Sequence, residues 1–230
     1  MKRFIVILFL ATLWAGNLFA ISVDELKEIV VINNSGNATI DVDIFIKDFN
    51  DSILYFPVRF ANSSEIEVLP KEKFEFSLTE LSGISMIRIR NKGNLNDSAN
   101  ISISFSARDL FKFPDYTLLD FRNRQFVNKF QNITFDEVKY FSSNVVLPEG
   151  YEISKINNYA PYNGMPYEII KNSIRSNLEL KANNIKIGES AFVDFNFRAA
   201  SKSKITVAIV VASLLIYIWV FRFRKRMRRK

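Results

Sequence analysis

The chain contains no cysteine and no histidine in 230 residues. Disulfides are therefore excluded, as are a thiolate nucleophile and a Ser–His pair. The common zinc sites and haem held by His or Cys are excluded too. An exported domain without Cys has to be held together by its core. Tryptophan is scarce as well: Trp14 and Trp219 both lie in apolar end segments. Charge is missing altogether from Ile205 to Phe221, a run of 17 residues, and no acid occurs in 1–20 or 205–230.

What surrounds those uncharged stretches gives them meaning. As a helix, residues 205–221 would span roughly 25 Å, at the short end of what a bilayer core accepts. Seven cations follow it directly: Arg222, Arg224, Lys225, Arg226, Arg228, Arg229 and Lys230. A basic flank of this kind assigns a cytoplasmic side. At the other end, Lys2 and Arg3 precede the apolar run Phe4 to Leu13, with Ala20 as a small residue for cleavage. This is the layout of a signal peptide. Leu18 stands where a smaller residue is preferred, so an uncleaved N-terminal helix over 1–20 is the alternative. Both readings place the intervening residues outside the cell, with the C-terminus in the cytoplasm.

The net charge of +7 and pI near 9.5 come from those ends. The first 20 residues hold two cations and the last 26 hold seven, which leaves 22 Lys and Arg against 24 acids in 21–204, a net of −2. The basicity therefore orients the chain and attracts anionic lipid rather than nucleic acid.

Residues 21–204 read mainly as strands. In Ala38–Lys47, Ile40, Val42, Ile44 and Ile46 alternate with polar residues, the period-two pattern of a half-buried antiparallel strand. Phe74, Phe76 and Leu78 repeat the pattern. So do Ser85, Ile87 and Ile89, and Ile101, Ile103 and Phe105. Turn-forming clusters at 33–37, 61–64, 69–72 and 91–98 separate these runs. Such spacing predicts a membrane-distal β-sandwich over 21–107. Further strands are expected at 133–142, 144–148, 151–155, 177–187 and 190–198, in a membrane-proximal β-sandwich or α+β unit over 108–199. A loop is expected around 159–165 and a short helix over Glu168–Ser176. The segment 117–131 reads equally as amphipathic helix or strand. Residues 200–204 form a link, 205–221 the transmembrane helix and 222–230 the tail. The expected fold class is mostly β: two tandem antiparallel, Ig-like sandwiches and one C-terminal transmembrane helix.

Seven asparagines start N-x-S/T patterns: Asn33, Asn37, Asn50, Asn62, Asn96, Asn100 and Asn132. Composition alone gives about three such acceptor patterns in 21–204. The excess points to a glycan coat; the plainer account is that Asn and Ser gather at turns. Asp41, Asp43, Asp48 and Asp51 form an acidic group, with Asp41 and Asp43 on one strand face. They are candidate Ca²⁺ ligands; the plainer account is an ordinary solvated face, with Lys47 nearby for balance. Phe121–Phe130 interleaves aromatics with Arg122, Arg124 and Lys129. It is either a core edge with cations facing water or a surface for anionic headgroups or a partner. Ser201-Lys202-Ser203-Lys204 matches S-x-x-K, but it sits in the membrane link and reads as a polar hinge. No catalytic residue and no cofactor is expected.

The segment Asn144–Ile153, NVVLPEGYEI, is a strand, a Pro-Glu-Gly turn and a second strand. It is similar to segments of many exported β-sandwich proteins, among them the membrane-proximal part of the ribophorin I type subunit of oligosaccharyltransferase. That family is single-pass with its bulk outside the cytosol. The likeness covers about ten residues. The Ile-, Asn- and Lys-rich, Cys-free composition with many sequons also resembles archaeal surface proteins.

The expected function is that of a membrane-anchored surface protein: a structural or interaction module, or an accessory subunit of a membrane complex, without enzymatic activity. Its expected partners are membrane lipids and other membrane or surface proteins, and not nucleic acid. The alternative is a surface hydrolase acting on glycans through paired carboxylates.

Overall fold

The structure is a computed structural model. It describes residues 21–47, 49, 53–59, 63–81, 83–93, 98–113, 122–160, 168–171 and 176–227. The expected signal peptide lies outside these residues.

The described elements are thirteen strands and one helix. They are β1 (Ser22–Ile32), β2 (Ala38–Lys47), β3 (Ile53–Pro57), β4 (Ser63–Leu69), β5 (Phe74–Leu81), β6 (Ile84–Asn91), β7 (Ser98–Ala107) and β8 (Arg124–Gln131). There follow β9 (Glu137–Val146), β10 (Tyr151–Ala160), β11 (Glu168–Lys171), β12 (Ser176–Lys186), β13 (Ser190–Ala199) and α1 (Ser201–Met227). The alternation visible in the sequence builds β2 directly, whereas in β5 Phe74 is buried but Phe76 and Leu78, expected on the same half-buried face, are exposed. In β2 the even-numbered Ile40, Val42, Ile44 and Ile46 are buried, while Thr39, Asp41, Asp43 and Lys47 are exposed. Burying such a side chain contributes about 1.5–3 kcal/mol.

The strands form three sheets. A seven-stranded sheet has the order β11-β12-β9-β1-β2-β7-β4, and two three-stranded sheets run β10-β13-β8 and β3-β6-β5. Buried side chains from all three join one core cluster, from Val23 on β1 to Phe197 on β13. The opposite face of the large sheet carries Lys27, Asp41, Asp43 and Asn100 in the open, the one-sided burial usual for antiparallel sheets.

Several expectations need correction. The pairing is not wholly antiparallel: β1 pairs with β9 in parallel, from Ser22↔Glu137 to Val31↔Val146. This pair carries the large sheet across the expected division at 107/108. No Ig-like arrangement is shown. The helix expected over Glu168–Ser176 is instead a strand where described: β11 pairs antiparallel with β12 from Glu168↔Glu179 to Lys171↔Ser176. The adjacent β-branched Ile169 and Ile170 suit a strand better than a helix turn. The ambiguous stretch 117–131 is strand from Arg124 onward. The expected loop at 159–165 begins inside β10, which runs to Ala160, and the rest lies outside the described residues.

Two details lock the β1–β2 hairpin to the core. Asn33 Oδ1 accepts from the Ser35 and Asn37 amides at 3.0 and 3.1 Å, an Asx turn. Gly36 has φ +85°, and a Cβ there would meet the Phe111 carbonyl oxygen at 1.7 Å. The Phe111 amide donates to the Gly36 carbonyl at 3.1 Å. Phe111 in turn packs edge-on against Phe197 at 5.1 Å, and Phe113 packs against Tyr151 at 4.8 Å. The described start of the connection after β7, through Phe111 and Phe113, thus packs against the core.

The helix α1 starts two residues after β13 ends, and the Ala200 amide donates to the Gly150 carbonyl at 2.8 Å. It contains the whole uncharged run. Its described side chains, 208–222, are all exposed, among them Ile209, Val210, Val211, Leu214, Leu215, Ile216 and Trp219. Among the described residues no helix is long and apolar enough to cross a membrane.

Candidate functional site

The two small sheets face each other across a cleft of about 390 Å³, lined by Pro57, Val58, Arg59 and Ile84 on one side and Val127, Asn128, Lys129, Gln131 and Ile133 on the other. A buried polar network lies beneath it. Glu28 on β1 is 2% exposed, on the core-facing side of the strand with Leu26 and Val30. Its register partner in β9 is Ser143, whose hydroxyl donates to Glu28 Oε2 at 2.8 Å. Asn128 on β8 donates through Nδ2 to Ser143 Oγ at 2.7 Å. Arg59, just past β3, forms an ion pair with the other Glu28 oxygen. Its Nη1 donates to the Lys129 carbonyl at 2.5 Å. The network therefore ties all three sheets together at one point.

The electrostatics follow from burial. Removal from water disfavours the charged guanidinium and pushes Arg59 down to about 9. It still carries its proton at neutral pH, where the Glu28 carboxylate offsets its charge. Asn128 is itself buried, and its Oδ1 has no hydrogen-bond partner.

A second recess of about 220 Å³ lies on the outer face of the large sheet, lined by Glu25, Lys27, Asp43, Phe45 and Asn100. Lys27 contacts Glu25 at 2.9 Å. That bond, with the nearby Glu25 charge, raises the ammonium above its ordinary range. The face is open to water.

The residues singled out from sequence are scattered. Asp41 and Asp43 accept from the cross-strand hydroxyls of Ser104 and Ser102 at 2.7 and 2.5 Å. Asp48 and Asp51 lie outside the described residues, and among those described no group of acids is placed to hold a metal ion. Of the sequons, Asn33 and Asn100 are exposed, and Asn37 is half-buried with Oδ1 accepting from the Asp109 amide at 3.0 Å. Asn132 is buried, with Nδ2 donating to the Ile185 carbonyl at 2.9 Å and Oδ1 accepting from the Phe135 amide at 2.9 Å. A glycan on that nitrogen would displace the first bond. Asn50, Asn62 and Asn96 lie outside the described residues. In the aromatic–basic segment, Phe126 and Phe130 are buried and Lys129 is exposed, while Arg124 sits over the Phe113 ring at 4.6 Å. Of the tail cations, Arg222, Arg224, Lys225 and Arg226 continue α1; Arg228, Arg229 and Lys230 lie outside the described residues.

Sequence reasoning passed over Glu28 and Arg59. The available signal was a Glu in an otherwise apolar register, Leu26, Glu28, Val30, Ile32.

No protein-family profile matches the sequence, and no curated protein matches it. Among solved structures, the chain is similar to a candidate protease from Parabacteroides distasonis, at 10% identity and TM-score 0.44, covering 76% of this chain and 40% of that one. It is similar to yeast LTA4 hydrolase in complex with bestatin, at 14% identity and TM-score 0.45, covering 78% of this chain and 29% of that one. It is also similar to native leukotriene A4 hydrolase from Saccharomyces cerevisiae, at 12% identity and TM-score 0.42, covering 78% and 30%. The chain thus spans well under half the length of these proteins.

Proposed function

We propose that this protein is a membrane-anchored, non-enzymatic interaction module whose β-rich part lies on the extracytoplasmic side. The observation that carries the reading is the uncharged run Ile205–Phe221 with its basic flank, and the exposure of α1 supports it. The described apolar side chains of α1 are exposed all round the helix, not along one stripe. A helix that is apolar on every side is buried in protein or in lipid. Read in sequence, the uncharged run starts at Ile205 and ends against the basic tail, which holds the C-terminus in the cytoplasm. The tight join from β13 to α1 keeps the sheets close to the bilayer.

The non-enzymatic part of the proposal is supported by the two recesses. The described residues lining the larger cleft include Arg59 and Lys129 but no carboxylate. Glu25 and Asp43 line the smaller one, Glu25 paired with Lys27 and Asp43 accepting from the Ser102 hydroxyl. Sheet edges then become the natural contact surfaces.

Affinity capture of the full chain from mildly solubilised native membrane, followed by mass spectrometry, tests the role. A stoichiometric membrane or surface partner is expected. Recovery of the protein alone would count against the complex-subunit reading.

A further inference from the structure

The layer of small sheets has a break in its middle, and its two walls are unlike. On the β8 side, the ladder to β13 fixes which peptide groups look into the cleft. Asn132 donates to the Glu189 carbonyl at 2.9 Å, directly opposite it. In an antiparallel ladder hydrogen-bonded pairs alternate, so Phe130, Asn128 and Phe126 bond to β13. The peptide groups of Val127, Lys129 and Gln131 therefore point away from it. The Lys129 carbonyl confirms this by accepting from Arg59 across the cleft. The amides of Val127, Lys129 and Gln131 have no partner among the described residues. On the β3 side, the Val58 amide bonds to the Ser85 carbonyl at 2.9 Å, so Pro57 is the outward position, and it has no amide to offer. Among the described residues, the second layer thus holds three strands, a gap, and three strands, over a sheet of seven.

We propose that this gap is a strand-addition site, in which an extended segment of a partner protein accepts from the outward amides of Val127, Lys129 and Gln131 on β8, the Lys129 carbonyl being held by Arg59. The site would supply main-chain hydrogen bonds from one wall and apolar contact from Pro57, Val58 and Ile84 on the other. The cleft also fixes the chemistry of the segment. Val127 and Lys129 lie on the outer face, Val127 being 50% exposed. An incoming strand would place an aliphatic residue beside Val127 and an acid beside Lys129, since opposite charges and β-branched pairs favour facing positions. Its inward residues must be small, because the Arg59 side chain crosses beneath. Arg59 is already paired with Glu28, so Lys129 is the exposed cation of the described lining, which holds no carboxylate, and an acidic residue facing Lys129 is the complementary one. This inference rests on the reading of the protein as an interaction module and names the surface and partner type.

The test uses the full chain in detergent micelles and a fluorescein-labelled, amidated pentapeptide, Val-Ser-Glu-Ser-Val, read by anisotropy. Binding is expected, weakened about tenfold by Val127→Pro, which removes one outward amide yet leaves the β8–β13 ladder intact. Lys129→Glu should weaken Val-Ser-Glu-Ser-Val and favour Val-Ser-Lys-Ser-Val. Unaltered thermal melting of both variants shows that the fold survives. If the wild type does not bind, or binds no better than Val127→Pro, the strand-addition site is wrong. Alkaline extraction of the same chain from membranes reads anchoring separately, so loss of one result leaves the other standing.

Discussion

Arg59, two residues beyond the end of β3, places its guanidinium on the carboxylate of Glu28 in the middle of β1. Both side chains are largely shielded from water. Breaking a buried pair from one side leaves an uncompensated charge and costs about 3–5 kcal/mol. Arg59→Met should therefore lower Tm by roughly 10 °C in a protein of this size. The double variant Glu28→Met/Arg59→Met should recover most of that loss, since apolar replacement of a buried pair is often neutral. Calorimetry of the three variants checks this.

Ser143 relays between Glu28 and Asn128 and is fully buried. Ser143→Ala would orphan one carboxylate oxygen and one amide donor. A loss of about 1–3 kcal/mol is expected from urea melts, with the slope m unchanged.

Gly36→Ala is expected to destabilise by on the order of 2–4 kcal/mol. The new Cβ would strike backbone, the Phe111 carbonyl, in a conformation that L side chains rarely adopt. Gly83, whose added Cβ would meet nothing within 4 Å although φ is +80°, isolates the conformational part. Gly83→Ala should cost clearly less.

Asp24 supplies a pH dependence. Burial pushes its carboxyl up, but the bonds from Lys139 at 2.7 Å and the Lys47 amide at 3.1 Å outweigh it and leave the group below its ordinary 3.8. A depressed folded-state pKa gives stability that is present above the unfolded value and lost as pH falls through the folded one. Stability should therefore decline on the acid side below about pH 4, and Lys139→Met should flatten that decline. Urea midpoints from pH 2 to 6 read both outcomes.

Much of the fold was legible because exposure alternates with the pleat. Ala38–Lys47, Asn100–Ala107 and the Val146–Tyr151 turn stand in the structure as strands and a turn where alternation, Pro148 and Gly150 put them, with β7 starting earlier, at Ser98. The sequence of Ser22–Ile32 does not announce a strand, because Glu28 sits in the apolar register and breaks the pattern. That same residue hid the site. Its partners Arg59, Ser143 and Asn128 lie on three different strands or their ends, and only the parallel β1–β9 register brings Ser143 beside it. Long-range parallel pairing leaves no local signal, so the shared sheet was not legible either. Asn132 shows the reverse case, a motif in sequence that folding turned inward.

Protease protection of the full chain in sealed vesicles of known sidedness, with an epitope tag at Lys230, tests the central claim most directly. The account predicts a carbonate-resistant protein whose tag is cleaved from the cytoplasmic side while the β-rich part stays protected. Release by carbonate, or cleavage of the β-rich part from the cytoplasmic side, would contradict it.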